Sequence, residues 1–391
     1  MKRSLTFRYT LHQMAYWAAA AGIMSFASAF LLEKGFTASQ VGILLASGSL
    51  LSGIFQPLLA SLADRVGGAV LPRMAIGLTL VCGTFFTALL LLPLPMWLFG
   101  LLYLLGIFTF DVMMPLLNAI SVAYTARGRS VNYGFARGIG ALAFSIAALA
   151  IGEVIARFGP DYMLWIVLAL LAAGIVVILT FPKLDNTAET RTAKTADCCS
   201  IPEFVRRYRW YCLSLGGVML LAMFHAMTEN YLIEIMRRLG GDSSSVGFAL
   251  FVATFAEMGI LIFFTQVRAR ITDARLLKIA GLSFLLKSVL LTIAPSVGSI
   301  YLIQLLQATS YAFLSPTQLY YADSRVAQTD MVKGQAFITA SYTLGCALGN
   351  LIGGQLLSFS GVPALLYAGI GMAAAGTVIF FLTVDRRDLP A

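Results

Sequence analysis

The chain has 391 residues, of which 59% are hydrophobic and only 12% charged, with a formal net charge of +9. A soluble chain of this length carries about a quarter charged residues to wet its surface, so this composition excludes a soluble globular fold and indicates an integral membrane protein. Apolar stretches close to the ~20 residues needed to cross a bilayer recur along nearly the whole sequence and leave no room for a sizeable soluble domain. Backbone groups in lipid must be satisfied internally, which makes the spans helical and the fold all-α.

In chain order, the predicted spans are 11 to 32, 41 to 63, 73 to 93, 96 to 122, 133 to 156, 161 to 181, 210 to 233, 246 to 266, 276 to 294, 297 to 321, 333 to 357 and 362 to 384. With both termini placed in the cytoplasm, four of the 27 Lys and Arg fall in outside loops (Lys34, Arg157, Arg237, Arg238) and two in spans (Arg137, Lys287), which leaves 21 inside. That asymmetry satisfies the positive-inside rule and predicts a multi-pass protein of the cell's inner (plasma) membrane. The positive charge then reports topology and contact with anionic lipid heads, and nucleic acid is not an expected partner. Lys2, Arg3 and the apolar run ending at Ala27-Ser28-Ala29 also have the form of a cleavable secretory signal. Its removal would leave eleven spans, against the expected six-plus-six arrangement. Five Cys, among them the adjacent Cys198 and Cys199, do not spell a disulfide framework in a reducing compartment.

Between Pro182 and Pro202 hydropathy collapses into the polar stretch DNTAETRTAKTADCCS, followed by the basic cluster Arg206, Arg207 and Arg209. This predicts a first bundle over 1–181, a cytoplasmic linker over 182–209 and a second bundle over 210–391. The cluster is expected to anchor a helix start at the lipid surface. Arg65, Ala69 and Arg73 after span 2 recur with the same spacing as Arg270, Ala274 and Lys278 after span 8, as expected of a protein built from two related halves. Gly134, Gly138 and Gly140 in span 5 and Gly345, Gly349, Gly353 and Gly354 in span 11 predict close helix packing. Pro57 and Pro115 are expected to interrupt and bend spans 2 and 4.

At membrane depth five charges remain: Asp111, Arg137, Glu229, Glu257 and Lys287. Charges there are expensive and mark function. Asp111, Pro115 and Asn118 are spaced by four and three and share one helical face, with the outer two about 10 Å apart along the axis. The guanidinium of Arg137 suits sugar hydroxyls or a carboxylate equally, while an Asp111–Arg137 pair that merely holds helices together is the structural alternative. His225 and Glu229 sit four apart on one face of span 7 and can form a titrating pair, although a lone intramembrane His more often simply completes a hydrogen bond. Glu257 and Lys287 are candidate partners between spans 8 and 9, each neutralising the other when both are ionised. Three carboxylates against two bases leave one acid without a permanent counter-ion, which is what proton coupling requires. Tyr16, Trp17, Phe144 and Tyr311 are the aromatic candidates for stacking on a solute, and Gln304, Gln307, Gln318, Asn350 and Gln355 offer neutral hydrogen bonds to a solute or between helices.

The segment Gln56-Pro57-Leu58-Leu59-Ala60-Ser61-Leu62-Ala63-Asp64-Arg65-Val66-Gly67 resembles the loop signature of the major facilitator superfamily, with Ala60 where the family has a Gly. That resemblance implies twelve transmembrane helices in two six-helix bundles, with Asp64, Arg65 and Gly67 forming a conformational-switch loop. Gly42-Ile43, Ser49-Leu50, Gln56-Pro57-Leu58 and Gly134-Phe135-Ala136-Arg137 extend the resemblance to the lactose, nucleoside and phenylpropionate permease branch. It implies that Arg137 binds solute, that Phe144 is an aromatic platform, that Glu257 links solute and proton and that Lys287 assists deprotonation. Asn118 stands where that branch has a solute-binding acid, with Asp111 as the nearby acid, and Gln307 and Ser310 stand where it has a His and a Glu, so lactose itself and the known proton path are not implied.

Together these features predict a secondary transporter, working as a monomer, that imports a small polar organic solute, saccharide or nucleoside-like, together with a proton. The solute would be held by Arg137, Asn118, Asp111, Phe144, Tyr16 and Gln307, and the proton handled by Glu257, Glu229, His225 and Lys287. A proton-driven exporter of drugs or metabolites is the alternative. No HExxH, phosphate loop or nucleophile elbow occurs, so an enzyme is not expected, and neither is a cofactor or a metal.

Overall fold

The computed structural model describes residues 2–65, 70–127, 129, 131–183, 200–327 and 330–386. These are almost wholly helical, and no strand occurs among the described residues. Among the described residues nine helices are long and apolar enough to cross a membrane, or ten when the bent pair Leu5–Ser25 and Ala27–Glu33 counts as one crossing. Two further features are consistent with the expected twelve. The rod Met331–Thr383 contains Gly361 at φ +75°, ψ −175°, a conformation closed to other residues, so two helices meet there. The helix Asp273–Thr292 misses the apolar criterion while occupying predicted span 9, because it carries Asp273, Arg275, Lys278 and Lys287.

The chain divides into two compact units, Met1–Thr192 with Asp242–Phe251, and Ala193–Gly241 with Val252–Ala391. Much of the expected linker, including Cys198 and Cys199, lies outside the described residues. Its end is not extended chain. Residues Ile201–Arg207 form a helix whose Phe204 is buried, and Arg207 reaches Asp330 at 3.5 Å.

In the first unit, α1 (Lys2–Ala20) packs on α7 (Tyr133–Phe158) and α8 (Asp161–Leu179), and α3 (Ala38–Arg65) packs on α5 (Met96–Asp111) and α6 (Met113–Ala126). A π-turn at Ala21–Ser25 separates α1 from α2 (Ala27–Glu33), with a 47° bend. Asn132 caps α7 by accepting the Phe135 N–H at 3.0 Å. The start of α12 (Ser243–Ile262) also belongs to this unit, which the sequence placed wholly in the second bundle. There the Ser244 hydroxyl donates to Glu153 at 2.6 Å, and Gly152 and Gly247 let the two backbones touch.

Proline has opposite outcomes at its two predicted break points. At Pro115 the span does break, at Val112 between α5 and α6. Proline has no N–H to give the carbonyl four residues back, which is that of Asp111, and the side-chain amide of Gln56 donates to that carbonyl instead, at 3.2 Å. At Pro57, by contrast, α3 runs unbroken from Ala38 to Arg65.

In the second unit, α10 (Arg209–Asn230) lies along α17 (Met331–Thr383) over its most extensive packing face. Gly345 permits it, since a Cβ there would stand 2.5 Å from the Met219 carbonyl oxygen. Gly349 meets the Met223 backbone in the same way one turn later. The tail is pinned beside this pair. Arg325 donates to the carbonyls of Val384 (2.6 Å) and Arg386 (3.0 Å), Lys278 pairs with Asp385, and Arg386 lies over Trp210. Outward faces carry apolar side chains such as Phe359, 82% exposed, as lipid contact requires.

Candidate functional sites within each unit

In the first unit, the helix break delivers Asp111 to the edge of an aromatic group. Its carboxylate accepts from the Ser52 hydroxyl at 3.3 Å, and its carbonyl accepts from Gln56, so both contacts come from residues one turn apart on α3. No ion pair among the described residues involves Asp111. The Asp111–Arg137 pair that was the structural alternative therefore does not form. Tyr16 lies within electrostatic reach of both groups. Its ring is stacked on Phe110 (4.5 Å between centroids, 5° between planes), and its hydroxyl donates to the Phe110 carbonyl at 3.4 Å.

Arg137 instead lies over the Trp17 ring, 3.7 Å from its centroid. Trp17 is fixed in turn, because its N–H donates to Gln13 at 3.0 Å, whose amide donates to the Tyr9 hydroxyl at 2.9 Å. Gly140 makes the space, since a Cβ there would stand 2.6 Å from the Trp17 ring. Phe144, two turns after Arg137, is half-buried and makes no ring contact among the described residues. Asn118 has its side-chain oxygen buried without a hydrogen-bond donor. Tyr16 is only 7% exposed, stacked on Phe110 and in edge contact with Trp17, so it serves the scaffold before it can serve a solute.

The second unit holds a buried ion pair. Lys287 on α14 (Asp273–Thr292) is 1% exposed and bonds Glu229 at 3.1 Å and Gln307 at 2.9 Å. The sequence favoured Glu257 as its partner. The helix rotations decide otherwise and bring Glu229 of α10 to the ammonium, while Glu257 on α12 lies within electrostatic reach of Tyr311. Gln304 also bonds the Glu229 carboxylate, with its own oxygen buried and unpaired. His225 is within electrostatic reach of both Glu229 and Lys287, yet its ring is held by stacking on Tyr311 at 4.7 Å, and its Nδ1 has no partner. No hydrogen bond joins His225 to Glu229 among the described residues, although the two lie within electrostatic reach of each other. Asn230 donates to Asn350 at 2.6 Å, and Tyr231 to the Asn350 carbonyl at 3.0 Å, so Asn350 ties α10 to α17.

The conformational-switch loop is largely outside the described residues, namely Gly67 and the side chains of Asp64 and Arg65. In the second repeat Arg268 grips Asp273 with two bonds, 2.8 and 3.1 Å, and lies 4.0 Å from the Tyr320 ring centroid. The Asp273 bonds hold the guanidinium above its ordinary pKa.

Sequence inspection missed Ser52 and Gln56 as site residues. Their signal was present, because two polar side chains four apart share one face of an otherwise apolar span, opposite a carbonyl that Pro115 leaves without a donor.

The model of the MFS_1 like family matches residues 6–367. A relative from Bacillus subtilis (strain 168), named Uncharacterized transporter YwbF, is 21% identical over 370 residues, which cover 91% of this chain and 88% of that protein. Among solved structures, a mutant of the nucleoside transporter NupG superposes with a TM-score of 0.82 at 14% identity, covering 97% of this chain and 99% of that one. An auto-inhibited peptide transporter of the POT family gives 0.72 at 12% identity, covering 99% and 98%. Likenesses at such identity establish the fold, and the family match establishes membership. With two helical units and buried charge clusters in membrane-spanning helices, the chain belongs to the MFS_1 like family and is a membrane transporter of the major facilitator fold.

Proposed function

We propose that this protein is a secondary active transporter that imports a small polar organic solute, saccharide or nucleoside-like, with a proton, by alternating access. The observation that carries it is the Lys287–Glu229 ion pair, with Lys287 1% exposed. A charge pair in low dielectric is tolerated only while both members are present. A proton on Glu229 cancels its charge and leaves the Lys287 ammonium with Gln307 alone, so gaining or losing that proton changes which arrangement of the second unit is stable. Glu257 is the second candidate for the proton, through its field at Tyr311.

In the first unit, Arg137 over Trp17 offers donors at one edge, Asn118 an acceptor lacking a donor, and Phe144 a ring face. That combination of donor, acceptor and apolar face suits a polyhydroxylated or heterocyclic solute. The similarity in fold to a nucleoside transporter agrees with this choice and does not by itself make it. We place the protein in the inner membrane as a functional monomer with both termini cytoplasmic, in keeping with the distribution of Lys and Arg.

The test is solute movement in proteoliposomes loaded at one pH and diluted into another, with nucleosides and hexoses supplied as labelled probes. The expected result is accumulation down an inward proton gradient that collapses with a protonophore. Accumulation indifferent to the gradient, or expulsion of a preloaded solute as protons enter, overturns proton-coupled import, and the second outcome identifies an exporter.

A further inference from the structure

Of the three basic residues at the end of the linker, Arg207 is taken by the buried Asp330. Arg209 instead stands over Trp210, its guanidinium carbon 5.3 Å from the ring centroid. Arg386, from the other end of the second unit, stands 4.2 Å from the same centroid. The two guanidinium carbons are thus separated by no more than the sum of those distances, and neither residue makes an ion pair among the described residues. Each contact with the ring is weakly favourable at an exposed site, yet the two cations repel one another. The tail nevertheless holds Arg386 in place. Its N–H donates to the Thr383 carbonyl and its own carbonyl accepts from Arg325, both at 3.0 Å. The neighbouring carboxylate, Asp385, is engaged by Lys278 instead. Arg325 has backbone carbonyls and the Tyr321 ring as its partners among the described residues. Three guanidiniums therefore gather around one indole without a counter-ion in this group.

The cluster lies at a membrane boundary, because Arg209 opens one span and Thr383 closes another. Next to it the same two helices carry outward apolar side chains. Leu213, one turn after Trp210 on α10, is 53% exposed, and Leu382, one turn before Arg386 on α17, is 57% exposed. The helices are packed together at this level, with Ile379 beside Gly216. We propose that Arg209, Trp210 and Arg386 form a binding site for one anionic phospholipid. Its phosphate lies between the two guanidiniums, Arg325 adds to the local positive field, and an acyl chain runs over Leu213 and Leu382. The forked donors of arginine match phosphate oxygens, and an indole at head-group depth presents one wet edge and one apolar body. A zwitterionic phospholipid fits less well, since its own ammonium would meet the same guanidiniums. The site is independent of the solute carried and of proton coupling.

Native mass spectrometry of the purified protein, titrated with phosphatidylglycerol or phosphatidylcholine, tests it. The wild type should retain one phosphatidylglycerol molecule at concentrations where phosphatidylcholine is lost. Arg209→Gln and Arg386→Gln should each weaken that retention about fivefold. Both side chains are exposed, so these variants leave the packing intact. Arg206→Gln removes a charge from the same segment that does not lie over Trp210, and it should leave retention unchanged. Millimolar inorganic phosphate should not displace the lipid, because it has no acyl chain to seat. Equal retention of the two lipids, or retention unmoved in Arg209→Gln and Arg386→Gln, overturns the proposal. So does an equal loss in Arg206→Gln, which would mark diffuse charge, or displacement by inorganic phosphate.

Discussion

Replacing Lys287 by methionine keeps most of the side-chain volume and removes the ammonium from a position only 1% exposed. Glu229, whose side chain is 18% exposed, then loses its ion pair and retains the Gln304 bond. Breaking a buried pair from one side costs about 3–5 kcal/mol, because the surviving charge is left uncompensated. The lower end applies here, since Gln304 remains and Glu229 can take up a proton. Spread over a unit of this size, about 3 kcal/mol lowers the thermal midpoint by roughly 10 °C. Glu229→Gln alone should cost less, because the glutamine can still accept a bond from Lys287. The double variant, carrying neither charge, should recover most of the loss. The assay is detergent-solubilised thermal unfolding of all four proteins as a double-mutant cycle. A coupling energy within about 0.5 kcal/mol of zero would refute the claim that the two groups act as one unit.

Gln56→Leu should destabilise the protein by about 1–3 kcal/mol by orphaning the Asp111 carbonyl, and adding Pro115→Ala, which restores a backbone donor to that carbonyl, should rescue it in the same unfolding assay. Gly345→Val drives a side chain into the Met219 carbonyl, where a Cβ would already stand 2.5 Å from the oxygen, so a loss of about 1–3 kcal/mol or failure to insert is expected, measured by thermal midpoint and membrane yield. At the second-repeat loop the sign of the pH effect is fixed. The folded Arg268 value lies above its unfolded one, so its contribution is present at all lower pH and lost only as pH climbs through the folded value. Arg268→Ala should therefore lower the midpoint by an amount that does not vary across neutral pH, and a cost that changes between mildly acid and mildly alkaline buffer would contradict this.

The spans were legible because apolar length is the dominant signal in lipid. The break at Val112 was legible in part. Proline at 115 announces it, but proline at 57 announces the same and α3 continues through it, so residue type alone does not decide. What distinguishes 115 is the Gln56 amide waiting at the Asp111 carbonyl, a contact between residues 55 positions apart. The charges at membrane depth were legible as a set, whereas their pairing and the buried Asp330 were not. Whether Lys287 meets Glu229 or Glu257 depends on how α10, α12 and α14 are rotated about their axes, and helical periodicity fixes faces within one helix without fixing which faces meet. Likewise Arg137 was visible as a base at depth, but its place over Trp17 depends on the missing side chain at Gly140.

The most direct test of proton coupling through the buried ion pair compares wild type and Glu229→Gln for two fluxes of one transported solute, concentrative uptake under an imposed proton gradient and exchange at equal pH. The variant should lose concentrative uptake while exchange continues. Equal gradient-driven accumulation by both proteins would contradict it.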